Sequence, residues 1–131
     1  MKVIFTAMSA VLMIGLSAMG GEQIIKNVLT DIPYADSQAG KRKLIDEKHL
    51  FVMQVALKPG QQVPQHKANS NVHLLIIDGE VIVTLDGKDT TAIKGDILPV
   101  TFNTLMSIQN ASKENASFLN IRSPNPSEMK P

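Results

Sequence analysis

The stretch "VHLLIIDGEVIVTLDGKDTTAI" (residues 72–93) decides the fold class. Two pairs, Asp78-Gly79 and Asp86-Gly87, punctuate three short apolar runs. Asp-Gly between such runs is the strongest short-range hairpin signal, because a tight turn needs backbone that these two residues tolerate. The spacing predicts an antiparallel meander over 72–77, 80–85 and 88–93. With Asp78-Gly79 as a turn, Val72 faces Leu85, Leu74 faces Val83 and Ile76 faces Val81. Opposed residues share a face, so this face is wholly aliphatic. The other is mixed: His73 opposite Thr84, Leu75 opposite Ile82, Ile77 opposite Glu80. The aliphatic face is expected to line a dry interior.

The same rhythm continues outward. "HLFVMQVALKP" (49–59) is a β-rich apolar run, a further turn at "KGD" (94–96) leads to "ILPV" (97–100), and "TLMSIQ" (104–109) and "SFLNIR" (117–122) each read as strands. "QIIKNVLTDI" (23–32) is expected to be a first strand. Many short strands at 8–12-residue spacing imply an all-β sandwich or barrel. The last stretch, 123–131, is Pro-rich and expected to be disordered.

The 131 residues suffice for one domain. Residues 1–20 have the layout of a signal peptide: Lys2, an apolar run from Val3 to Leu16, then Ala18-Met19-Gly20. The run is short for a membrane span, which needs ~20 residues. The expectation is export, to a bacterial periplasm. The expected layout is a signal peptide over 1–20, a β-barrel domain over 21–122 and a tail over 123–131. Removing Lys2 leaves twelve basic and twelve acidic residues. A neutral chain lacks the basic excess that nucleic-acid or membrane-surface binding requires. "KRK" (41–43) is too short to alter this and reads as a solvated loop. There is no cysteine, so packing alone must hold the domain. "NAS" occurs at Asn110 and Asn115. Both would be glycan acceptors only in a eukaryotic secretory host.

With these landmarks placed, residues 43–122 resemble the cupin superfamily of small jelly-roll barrels. The family's first motif is G-x5-H-x-H-x3/4-E-x6-G; Gly60, His66 and Gly79 match it. The second is G-x5-P-x-G-x2-H-x3-N; Gly95 and Asn110 match its ends. The resemblance implies an all-β jelly roll of two antiparallel sheets. It also implies a homodimer, for which Leu75, Ile77 and Ile82 could supply an apolar patch.

The departures bear on function. In typical cupins three histidines and a glutamate hold a metal inside the barrel. Here the first histidine is His66, but the second falls on Ala68, the glutamate on Val72 and the third histidine on Met106. The proline and glycine of the second motif fall on Thr101 and Asn103. A catalytic divalent ion needs about three N, O or S ligands from the protein. A carboxylate at 72 would face an aliphatic row, where an uncompensated charge costs several kcal/mol.

The resulting expectation is a barrel without the usual metal, and not a metal-dependent enzyme. It binds a small molecule in an apolar pocket formed by His66, Val72, Leu74, Ile76, Val83 and Met106, with His66 as the polar anchor. Catalytic residues are unassigned. Alternation sends His73 to the opposite face, beside Thr84 and hence near Asp89. Were a metal bound, the remaining set would be His66, His73 and Met106, suited to Cu(I) through the thioether. Two alternatives stand beside this reading: a dioxygenase or isomerase with other metal ligands, and a fully packed barrel that serves only as an interaction module.

Overall fold

The computed structural model describes residues 25–129. Among the described residues, nine strands form two antiparallel sheets facing one another. They are β1 (Gly40–Glu47), β2 (Leu50–Leu57), β3 (Gln62–Lys67), β4 (Asn71–Asp78), β5 (Glu80–Leu85), β6 (Lys88–Ile93), β7 (Ile97–Val100), β8 (Leu105–Gln109) and β9 (Ala116–Ser123). One sheet has the order β1-β2-β9-β4-β7, the other β3-β8-β5-β6. This is the expected jelly roll.

The core fills the space between the sheets. Leu57, Val72, Leu74, Ile76, Val81, Val83, Met106, Ile108 and Phe118 are all buried in one cluster. The period-2 alternation of β4 and β5 selects these residues, since successive side chains leave a strand on opposite faces.

The hairpin expected at Asp78-Gly79 does not form. β4 pairs with β7 and β9, whereas β5 pairs with β6 and β8. Gly79 is where the chain steps from one sheet to the other. Its φ is +71°, and a Cβ there would lie 2.3 Å from the Asn115 carbonyl oxygen. The aliphatic face survives this correction because the crossover keeps both strands' apolar sides inward. The mixed face does not survive: Leu75 pairs with Leu119 and Ile97, whereas Ile82 pairs with Thr91 and Gln109 in the other sheet. Leu75 and Ile82 therefore lie on opposite outer surfaces and form no common patch. The Asp86-Gly87 hairpin does form, with φ positive at both residues and Leu85 opposite Lys88. Thr84 Oγ1 donates to Asp89 Oδ1 at 2.7 Å.

Three further expectations change. Residues 25–32 are a turn-containing arm rather than a strand. "KRK" lies in β1, not in a loop. On the outer face, Arg42 donates to Gln54 Oε1 and to the carbonyls of Asn27 and Asp31, which fastens that arm to the sheet. Residues 123–129, expected to be disordered, complete β9 and form a short 3-10 turn, Pro126–Glu128. Asn125 caps that turn and donates to Asp46 Oδ1 at 2.7 Å. The expected signal peptide lies outside the described residues.

Candidate functional site

Apart from His66, the motif landmarks that the chain keeps are scaffold positions. Gly60 N–H donates to the Asn110 carbonyl, and Asn110 N–H donates to the Gln61 carbonyl, so the ends of the two motifs are locked together. The Asn110 side chain is fully buried and donates to the carbonyls of Leu57 and Glu114. Its Oδ1 accepts from Ser112, which leaves this first NAS asparagine committed to the fold. Asn103, standing at the motif's second glycine, has φ +74°. Asparagine is among the few residues that adopt this left-handed backbone readily.

The positions that would hold a metal behave differently. His66 and Met106 are cross-strand partners at the mouth, on β3 and β8. A register shift between Val63 and His66 accommodates Pro64, which lacks the N–H a ladder needs, and re-aims the strand end. The His66 ring is held by Nδ1, 2.9 Å from the Pro64 carbonyl oxygen. A carbonyl only accepts, so Nδ1 carries the hydrogen and Nε2 is left for other contacts. Ala68 and Val72 are buried and apolar. His73 is exposed on the outer face of the five-stranded sheet, between Pro99 and Ile121 rather than beside Thr84. The structure thus brings His66 and Met106 together and leaves His73 apart. His49 is exposed, 3.5 Å from Glu47. Among the described residues no three His, Cys, Asp or Glu side chains converge. The donors at the mouth do not fit the metal that the resemblance implies.

What the mouth holds is a pocket of about 270 Å³. Its walls are Val55, Val63, Ile108, Phe118 and the two methionines Met53 and Met106. Its polar groups are Lys41, Gln65, His66, Asn120 and Arg122. Val72, Leu74, Ile76 and Val83 do not line it; they are packed in the core. A broader depression of about 790 Å³ adjoins it, along residues 33–41 and 60–64. There the Gln61 amide, its most convergent polar group, is taken up by Lys58 N and the Ala35 carbonyl.

Reading the sequence misses Asn120 and Arg122. Parity carries the signal: Phe118, Asn120 and Arg122 alternate along β9, so an inward Phe118 puts all three inside. The register agrees, with Phe118 beside Ile76, Asn120 beside Leu74 and Arg122 beside Val72. Asn120 is 5% exposed. Its Oδ1 accepts from Arg122 Nε at 3.2 Å. The guanidinium lies 5.2 Å from the centroid of the Phe51 ring, within range of a cation–π contact. Burial pushes the Arg122 guanidinium below its ordinary pKa.

No family model matches the chain. An uncharacterised protein of Methanocaldococcus jannaschii is 36% identical over 88 residues, covering 66% of this chain and 76% of that protein. Its crystal structure, described as an RmlC-like cupin family protein with a double-stranded β-helix fold, superposes with a TM-score of 0.70 at 31% identity. That match covers 81% of this chain and 94% of the archaeal one. A Klebsiella pneumoniae protein with a double-stranded β-helix domain gives 0.73 at 19% identity, covering 79% and 92% of the two chains. The Cnp3 cupin domain of Schizosaccharomyces pombe gives 0.70 at 19%, covering 82% and 80%. The last two are likenesses of fold alone.

Proposed function

Because this chain belongs to the RmlC-like cupin family, we propose that it uses the mouth of its barrel to bind a small molecule, with no metal taking part. The observation that carries this reading is the pocket itself: apolar walls, a few polar groups that meet, and about 270 Å³ of room. Small-molecule sites have this make-up, and this one falls just below their usual range of about 300–1,000 Å³, which suits a small ligand. His66 is one anchor, with Nε2 left to meet the ligand. Export and self-association remain parts of the same proposal.

A metal-dependent reaction finds less support here, since Ala68, Val72 and Met106 take the places of three ligands. A filled interaction barrel would have no such pocket. The test is a fragment screen on the isotope-labelled protein, read by amide NMR shifts. Hits should perturb His66, Met106 and Asn120 together. Hits confined to other surfaces, or none at all, would overturn the reading.

A further inference from the structure

Two arginines sit on opposite faces of the five-stranded sheet. Arg42, outside, has four hydrogen bonds to three acceptor groups. Arg122, inside, is bound only through Nε to Asn120 and lies against the Phe51 ring. Among the described residues, its two terminal nitrogens have no hydrogen-bond partner and it forms no ion pair. A guanidinium is a planar fork of donors, and Asn120 fixes its plane by taking the Nε hydrogen. The terminal pair is what a carboxylate engages side by side.

The surroundings have one sign of charge. Arg122 and Lys41 are the charged groups that line the pocket, and no Asp or Glu does. Lys41 reaches it because it pairs with Val55 and so shares the inward face of β2. A partly desolvated cation without a counter-charge is costly, and an incoming anion removes that cost. Behind the charge the walls are aliphatic and aromatic: Val55, Ile108, Phe118, Met53 and Met106.

We propose that Arg122, oriented by Asn120, is the anchor for a small carboxylate whose apolar body rests on Met106, Ile108 and Phe118. The proposal rests on the ligand-binding reading above and names the class of ligand. At about 30 Å³ per water-sized group, the pocket takes roughly nine such groups. That is the scale of a monocyclic aromatic acid or a medium-chain fatty acid. In this position Arg122 supplies, from the chain itself, the positive charge that a bound metal would otherwise supply.

The experiment compares benzoate with benzamide, its neutral near-isostere, by NMR titration of the full chain. Benzoate should shift the Arg122 Nε–H signal and the amides of Asn120 and Met106. It should bind about tenfold or more tighter than benzamide, the scale of a charge-assisted bidentate pair. Arg122→Met should remove that preference while the remaining spectrum stays dispersed, and Arg122→Lys should keep part of it. If benzamide binds at the mouth as well as benzoate does, the pocket reading stands and the carboxylate proposal falls. If neither probe perturbs the mouth, both fall. The wild-type pair decides the matter even where Arg122→Met folds poorly.

Discussion

The two halves of the barrel interior are built on opposite rules. Away from the mouth, Leu74, Ile76, Val81 and Val83 are each at most 1% exposed and belong to one buried apolar cluster. At the mouth, Met53 of β2 and Asn120 and Arg122 of β9 surround an open space. One strand, β9, supplies both: Ala116 to the dry half, Arg122 to the wet half, with Phe118 as the wall between them. Stability is therefore concentrated in one half, and the proposed ligand site lies in the other. Of the motif positions, Gly60, Gly79, Gly95 and Asn110 are kept as scaffold, and of the four metal-holding positions only His66 is. A barrel fold needs the first set but not the second.

Substitutions in the two halves should separate cleanly. The largest effect is expected for Leu74→Ala, which opens a cavity in the dry half and should cost about 3–5 kcal/mol in urea unfolding. A cost below about 1 kcal/mol would mean that this half is not the packed core. Next is Arg42→Ala on the outer face. Losing its hydrogen bonds to Gln54 and the 25–32 arm should cost about 1–2 kcal/mol and raise amide exchange in that arm. By contrast, Arg122→Met should change stability by less than about 1 kcal/mol, because an apolar side chain suits a site with no fixed counter-charge. Equal losses for the two arginines would erase the distinction drawn between them.

The smallest effect concerns acid. Lys43 and Asn125 hold the Asp46 carboxyl below its ordinary pKa, and Lys58 does the same for Asp36. A lowered folded-state pKa contributes stability that is complete above the unfolded carboxylate pKa, about 4, and is lost as pH falls through the folded value. Both groups are exposed, so the contribution is small. Asp46→Asn should flatten the acid limb of stability against pH slightly and leave the neutral plateau nearly unchanged. A steeper acid limb in the variant would contradict the sign.

Much of this was legible in the sequence wherever structure is set locally. The Asp86-Gly87 turn closes a hairpin because its two residues supply the positive φ themselves. The inward row from Val72 to Val83 follows from alternation alone. Asp78-Gly79 misleads because the same pair also serves at a corner, where Asp78 keeps a negative φ and Gly79 packs against the Asn115 carbonyl. "GKRKLIDE" conceals β1 because Lys41 and Lys43 stand at the inward positions of an edge strand, where apolar residues would be expected. Arg122 shows the limit most clearly. Its inward direction could be read from Phe118, but the lack of a counter-charge depends on strands far away in the chain.

The central claim is that this mouth is built for an anion and not for a metal ion. Its most direct test is elemental analysis of the full chain purified without chelator, paired with thermal unfolding before and after chelator is added. The expected result is well under one equivalent of any transition metal and an unchanged melting temperature. One tightly bound equivalent, with a melting temperature that falls when it is stripped, would contradict the claim.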